Sequence, residues 1–193
     1  ERGWVSRGEV KEYIRSVYRS GIIYKAFAEW NEETSVLKVK AIMTPVVSRI
    51  NLVNPPENIP SDYFQPLMSL AGEHLNYPRY REAYKRTLIT LRKRGYPVAS
   101  VKPLWISSDG ELTLLVEPGR LSQILVENVL VKEDDGTLLK SLQTEIPLET
   151  GNTITHQKIL RTEGILYGME LFRWVYPYLE NESDGYWRLA LRL

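Results

Sequence analysis

The side chains with the widest chemical reach are scarce in this chain. It has two histidines, His74 and His156, and no cysteine, which removes thiolate nucleophiles, thiolate metal ligands and disulfides together. Neither histidine has a carboxylate at the spacing of a metal-binding motif, and both read as ordinary polar residues. No G-x-S-x-G nucleophile elbow occurs, and the glycines are scattered at turn positions, so no phosphate-cradling loop forms. No catalytic residue, no metal ligand and no cofactor is expected. The densest charged group is Arg86, Arg92, Lys93 and Arg94, with Arg79, Arg81 and Lys85 upstream, all within one helical pattern. Two readings stand for it: a basic face toward lipid headgroups or an acidic partner, or a solvated face whose last turn compensates the helix dipole.

Chemistry this sparse turns attention to the elements. The chain has 193 residues, 43% hydrophobic and 25% charged, with a net charge of +1. It is long enough for one medium core or two to three small ones. Near-zero net charge provides no global footprint for nucleic acid or anionic lipid. Its apolar runs all fall well short of the roughly 18–20 residues of a spanning helix. The missing cysteines leave the compartment open. The chain opens on Glu1-Arg2-Gly3-Trp4 without an initiator methionine or a signal pattern, so a segment of a longer protein is expected.

One pattern recurs. Arg92-Lys93-Arg94 closed by Gly95 predicts a helix end. Val98 to Ile106, the turn Ser108-Asp109-Gly110 and the alternation Leu112, Leu114, Val116 predict a β-hairpin buried on one face. Pro118-Gly119 interrupts, and a strand centred on Ile124 and Val126 follows. The same order appears about 74 residues earlier by the numbering, with Gly21, the turn 31–35, Pro45, Ser48, Ile50 and Asn54 matching Gly95, the turn 107–110, Pro118, Ser122, Ile124 and Asn128. Ser6-Arg7-Gly8-Glu9 reads as a capping box opening the first helix. Val46 to Val53 reads as a strand, Ile59 to Leu70 as a short helix, and Tyr80, Ala83, Tyr84, Thr87, Leu88 and Leu91 mark a longer one. The last third runs the same course. A strand from about Leu121 to Val131, a turn at Glu133–Gly136 and a helix from Thr137 to about Glu145 lead to Gly151–Thr155, which matches Gly72–Asn76. A helix from about His156 to Tyr167 follows, then a strand ending near Leu179, the turn Asn181–Gly185 and an alternating strand through Trp187, Leu189 and Leu191. Trp187 is expected inside; Trp30 and Trp105 are less clearly so.

A strand-helix-helix-strand-strand unit of roughly 75 residues in tandem resembles the POTRA (polypeptide-transport-associated) domain. The matching residues are Val17-Tyr18-Arg19-Ser20-Gly21 through Phe27, Leu91 to Ala99, Glu117-Pro118-Gly119, Ile124 to Asn128, and Leu166-Tyr167-Gly168 with Phe172 and Val175. Glu170 departs from the pattern, standing where the other units have a helix-ending glycine. The variant Leu166-Tyr167-Gly168 followed by Phe172 is similar to patatin-linked modules.

The resemblance implies an α+β fold of tandem β-α-α-β-β modules, each a three-stranded mixed sheet covered by two helices. The expected boundaries are 1–45 for the second half of a unit, then 46–118 and 119–193 for complete units. In such modules the last strand is central and the strand before it is an edge. Pro97 and Pro103 fall in the second unit's edge and Pro177 in the third's, where proline blocks further pairing. Only Ile22 to Trp30 is proline-free. The partner-binding residues implied are therefore Ile22, Tyr24, Ala26, Ala28 and Trp30, receiving an extended segment by β-augmentation; the alternative is that other segments cover this edge.

The resemblance also implies the periplasmic region of an outer-membrane β-barrel protein of the BamA type. Such a region is a scaffold for outer-membrane protein assembly or polypeptide translocation, whose partners are unfolded outer-membrane or secreted clients and accessory subunits. Membrane attachment would come from a barrel outside this chain, with no nucleic acid bound. The alternative is a spacer between a secreted patatin-like phospholipase domain and its barrel. A nucleic-acid-binding KH-type reading lacks its G-x-x-G clamp.

Overall fold

The computed structural model describes residues 6–31, 33–34, 36–55, 59–127, 144–170 and 172–193. Helix α1 (Arg7–Arg19) opens on the expected capping box: Ser6 accepts from the Glu9 amide, and the Glu9 carboxylate accepts from the Ser6 amide at 2.7 Å. Strands β1 (Ile23–Asn31) and β2 (Val36–Met43) pair antiparallel as a two-stranded sheet. Next come β3 (Arg49–Val53), a 3-10 turn (Ser61–Phe64) running into the one-turn α2 (Gln65–Met68), and the long α3 (Tyr77–Lys93). Strands β4 (Ser100–Ile106) and β5 (Glu111–Glu117) complete a second sheet in the order β3-β5-β4. Strand β6 (Arg120–Glu127), helix α4 (His156–Gly168) and strands β7 (Tyr176–Ser183) and β8 (Tyr186–Arg192) build a third, in the order β6-β8-β7. In that sheet β6 runs parallel to β8 and β7 antiparallel, so it is mixed. Both three-stranded sheets place their last strand at the centre, as expected.

Two compact units emerge, one from residues 1–53, 61–87 and 103–114 and the other from 54–60, 88–102 and 115–193. In the first, the period-two and period-3.6 patterns bury Val47, Ile50, Phe64, Leu67, Leu112 and Leu114, while α1 buries no residue at all. In the second, Leu121, Ile154, Leu166, Val175, Leu189 and Leu191 are the centre of a buried apolar cluster. Trp187 is half-buried against that cluster, whereas Trp30 and Trp105 are each 58% exposed.

Several boundaries differ from expectation. Pro97 lies before β4, in the turn after α3, so only Pro103 is carried by that strand. Strand β7 runs on to Ser183, because the tight turn Asp184-Gly185 suffices to reverse the chain once Gly185 takes φ +76°. The strand expected from Val46 begins at Arg49, with Val46 making only a bridge to His74. The short helix expected over 59–70 is mostly a 3-10 turn and one α-turn, as Pro66 sits at its start. The turn at Glu133–Gly136, all but the last two residues of the helix from Thr137, and the end of the strand toward Val131 lie outside the described residues.

Candidate functional site

Each unit contains the same backbone junction. In the first, the segment 72–77 that leads into α3 bonds to the connection between β2 and β3. Gly72 donates to Val47 O, Val47 to Glu73 O, Leu75 to Pro45 O and Tyr77 to Gly21 O, at 2.7 to 3.2 Å. In the second, segment 151–156 leading into α4 repeats all four. Gly151 donates to Leu121 O, Leu121 to Asn152 O, Ile154 to Gly119 O and His156 to Gly95 O, at 2.7 to 3.0 Å. The following helix is capped alike, by Asn76 accepting from the Arg79 amide and by Thr155 accepting from the Lys158 amide. These short loops would otherwise leave buried main-chain groups orphaned, so the matched bonds account for them.

The two histidines enter these junctions differently. His74 Nδ1 lies 2.6 Å from Thr44 O, a carbonyl that only accepts, so the ring carries its proton on Nδ1 there. His156 contributes its main-chain amide.

Side chains separate the two junctions. At the second, the Glu117 carboxylate accepts from Ser100 Oγ at 2.9 Å and from Lys102 Nζ at 2.9 Å, and the same ammonium reaches Asp184 at 3.2 Å. These partners hold the Lys102 ammonium above its ordinary pKa, the bond to Glu117 contributing most. At the first junction the corresponding positions are Met43, Ala26, Ala28 and Asp109, and apolar surface is exposed instead, at Ile42, Met43 and Val46.

The edge of β1 away from β2, unpaired along Ala28 to Trp30 among the described residues, can be read residue by residue. Ile22 lies just outside the strand, its carbonyl accepting from the Thr44 amide and hydroxyl. Tyr24 falls at a register shift between Ile23 and Lys25, a bulge that re-aims the edge. The Ala26 amide donates to the Tyr18 hydroxyl of α1 at 2.8 Å. Antiparallel pairing alternates inward and outward amides, so Ala28 and Trp30 share that outward orientation, and they meet no partner among the described residues. Of the five residues expected at this edge, two carry open outward donors. The other three are consumed by local bonds or by the bulge, which are invisible in a hydrophobicity pattern.

The hydroxyl bond recurs on the last sheet. Tyr167 of α4 accepts from the Val175 amide, just before β7, at 3.2 Å. In both cases the tyrosine stands three residues before a left-handed residue, Gly21 at φ +77° and Glu170 at φ +57°, and eight residues before the amide that it holds. Glu170 thus adopts the geometry of the glycine it replaces, and the departure in sequence is no departure in backbone. The middle repeat has Arg92 three residues before Gly95. The fixed spacing was legible, but the alternation alone left the tyrosines indistinguishable from core aromatics.

The basic group is exposed and partly neutralised. Arg86 Nε pairs with Glu82 at 2.9 Å and Arg79 pairs with Glu73, while Arg92 and Lys93 close α3 where the helix dipole favours cations.

Compared with known proteins, the chain matches no family model and no curated sequence. Among solved structures it is similar to POTRA1-3 of the periplasmic domain of Omp85 from Anabaena, with TM-score 0.76, 18% identity, and 97% of this chain and 81% of that one covered. It is similar also to the N-terminal domain of Omp85 from the thermophilic cyanobacterium Thermosynechococcus elongatus, with TM-score 0.75, 16% identity, and coverage of 97% and 83%. CdiB from Escherichia coli matches at TM-score 0.59 and 15% identity, over 100% of this chain and 36% of that one. The fold is that of tandem POTRA modules.

Proposed function

We propose that this chain is the periplasmic POTRA region of an outer-membrane β-barrel protein of the Omp85 and BamA type. It is a non-enzymatic scaffold that receives extended client polypeptides or accessory subunits during outer-membrane protein assembly or polypeptide translocation. In this reading the modules divide at 45/46 and 118/119, the membrane is reached through a barrel beyond this chain, and no nucleic acid is bound. The likeness to Omp85 periplasmic domains over nearly the whole chain supports the class. The observation that carries the mode of action is the edge of β1, where Ala28 and Trp30 present outward main-chain donors beside an exposed Trp30 ring. A main-chain ladder recognises an extended segment whatever its side chains, which suits a scaffold with many clients.

The test is backbone NMR of the chain titrated with an unfolded outer-membrane-protein peptide. Shifts confined to 26–31 and their neighbours on β2 are expected. Ala28→Pro removes an outward donor while leaving the ladder to β2 intact, and is expected to abolish those shifts. An unshifted spectrum at millimolar peptide overturns the docking reading and favours a spacer linking a patatin-like phospholipase domain to its barrel.

A further inference from the structure

We infer that the Tyr18 hydroxyl is a built-in competitor for an incoming strand: a latch on the β1 edge that a docking segment displaces. The inference rests on the docking reading above and adds its regulation. An exposed edge amide needs only water, so a side chain held on it is not required for satisfaction. Tyr18 nevertheless places its hydroxyl 2.8 Å from the Ala26 amide and 3.5 Å from the Ala26 carbonyl, covering both groups that a new strand would use at that residue. Tyr18 is 42% exposed, so water is at hand to take the place of the amide on its hydroxyl.

The last sheet shows what a closed edge looks like. There Tyr167 holds the Val175 amide, and two residues on, where β1 has Ala28, stands Pro177, which has no amide to offer. A latch followed by a proline leaves no donor at the position next to the latch, the first open one being Leu179. On β1 the latch is followed by two open donors, so a strand can seat on Ala28 and Trp30 first and then replace the tyrosine at Ala26. The face beside this edge sets small residues, Ala26 and Ala28, next to the large exposed ring of Trp30. The segment it fits is extended, with bulky apolar side chains opposite the two alanines.

Tyr18→Phe keeps the ring and removes only the hydroxyl. In the free chain, hydrogen exchange at the Ala26 amide is expected to rise roughly tenfold, with amides of β2 unchanged. Losing a competing hydrogen bond should tighten binding of a synthetic decapeptide of alternating aromatic and polar residues by roughly three- to tenfold. The peptide's footprint should then include Ala26 in both proteins. Tyr167→Phe should free the Val175 amide yet bring no peptide footprint to Val175, because Pro177 beside it has no amide to continue a ladder. An Ala26 amide that exchanges as fast as Ala28 in the unaltered chain overturns the latch. So does equal peptide affinity in the two proteins, while leaving the docking reading standing. Absence of binding to either protein overturns the docking reading, and with it the competition.

Discussion

The two junctions share four main-chain hydrogen bonds and a helix cap, yet where the second carries an ion-pair cluster the first has exposed apolar side chains beside the Arg79–Glu73 pair. The lesson is a division of labour. Main-chain bonds set the geometry of each junction and are nearly indifferent to sequence. The side chains around them set how firmly it holds and what else it touches. At the second junction Glu117, Lys102 and Asp184 form an ion-pair cluster with Ser100; at the first, Met43 and Val46 stay open to solvent.

The sharpest way to break the comparison uses the turn glycines. The Gly110 carbonyl accepts from the Ser48 amide, and a Cβ at Gly110 would sit 1.9 Å from the Val46 carbonyl oxygen. At Gly185 the nearest atom would be in the Glu117 side chain at 3.6 Å, an ordinary contact. Both glycines have positive φ, so alanine at either incurs about 1 kcal/mol of strain, and Gly110→Ala adds a clash for a total of roughly 3 kcal/mol. Thermal unfolding of the two variants checks the ranking, and equal destabilisation would mean that the first junction yields more readily than its packing implies.

Next in size, Glu117→Gln is expected to loosen the second junction by about 1 kcal/mol, the worth of a partly exposed charge-assisted pair. The loss should shrink as salt is raised to about 0.5 M, where screening acts over a few ångströms. Denaturant titrations at two salt concentrations measure it. The counterpart Met43→Gln at the first junction should show no salt dependence.

Glu170→Gly sharpens the same comparison at the helix ends. Glu170 holds φ +57° where the equivalent residues Gly21 and Gly95 hold +77° and +98°. Relief of left-handed strain should stabilise the last repeat by about 1 kcal/mol, read as a raised melting temperature.

The smallest effect concerns pH. The Glu9 carboxyl lies below its ordinary pKa of 4.5, first because of the Ser6 amide and then because of its hydroxyl. A depressed folded pKa contributes stability that is present above 4.5 and lost as pH falls through the folded value. Amide protection in the first turn of α1 should therefore fade below pH 4.5, while the first turn of α4, capped by the neutral Thr155, stays unchanged.

The order of elements was legible because its signals are local. Gly21 and Gly95 end helices, Ser6 and Glu9 cap one, and Leu112, Leu114 and Val116 alternate into a buried face. The central place of β5 and β8 came with the resemblance, and the sheet orders agree with it. What could not be read were the contacts made across distance in sequence. Nothing around Tyr18 announces that its hydroxyl finds an amide eight residues on, and nothing around Tyr24 announces a bulge. Pro97 counts as part of the edge strand that the resemblance implies, although the chain is still turning there after Gly95. Glu170 departs from glycine in type and not in φ, which residue type alone does not disclose.

The junction bonds join atoms that every residue owns. A substitution in segment 72–77 or 151–156 alters side chains and leaves the donors and acceptors where they were, proline excepted. Drift can therefore run far while each junction keeps its main-chain bonds, in keeping with a shared fold at 18% identity. By the same token the segments should be exchangeable: residues 72–77 or 151–156 transplanted from a distant relative bring the same donors and acceptors with them, and only the surrounding charges need be rematched.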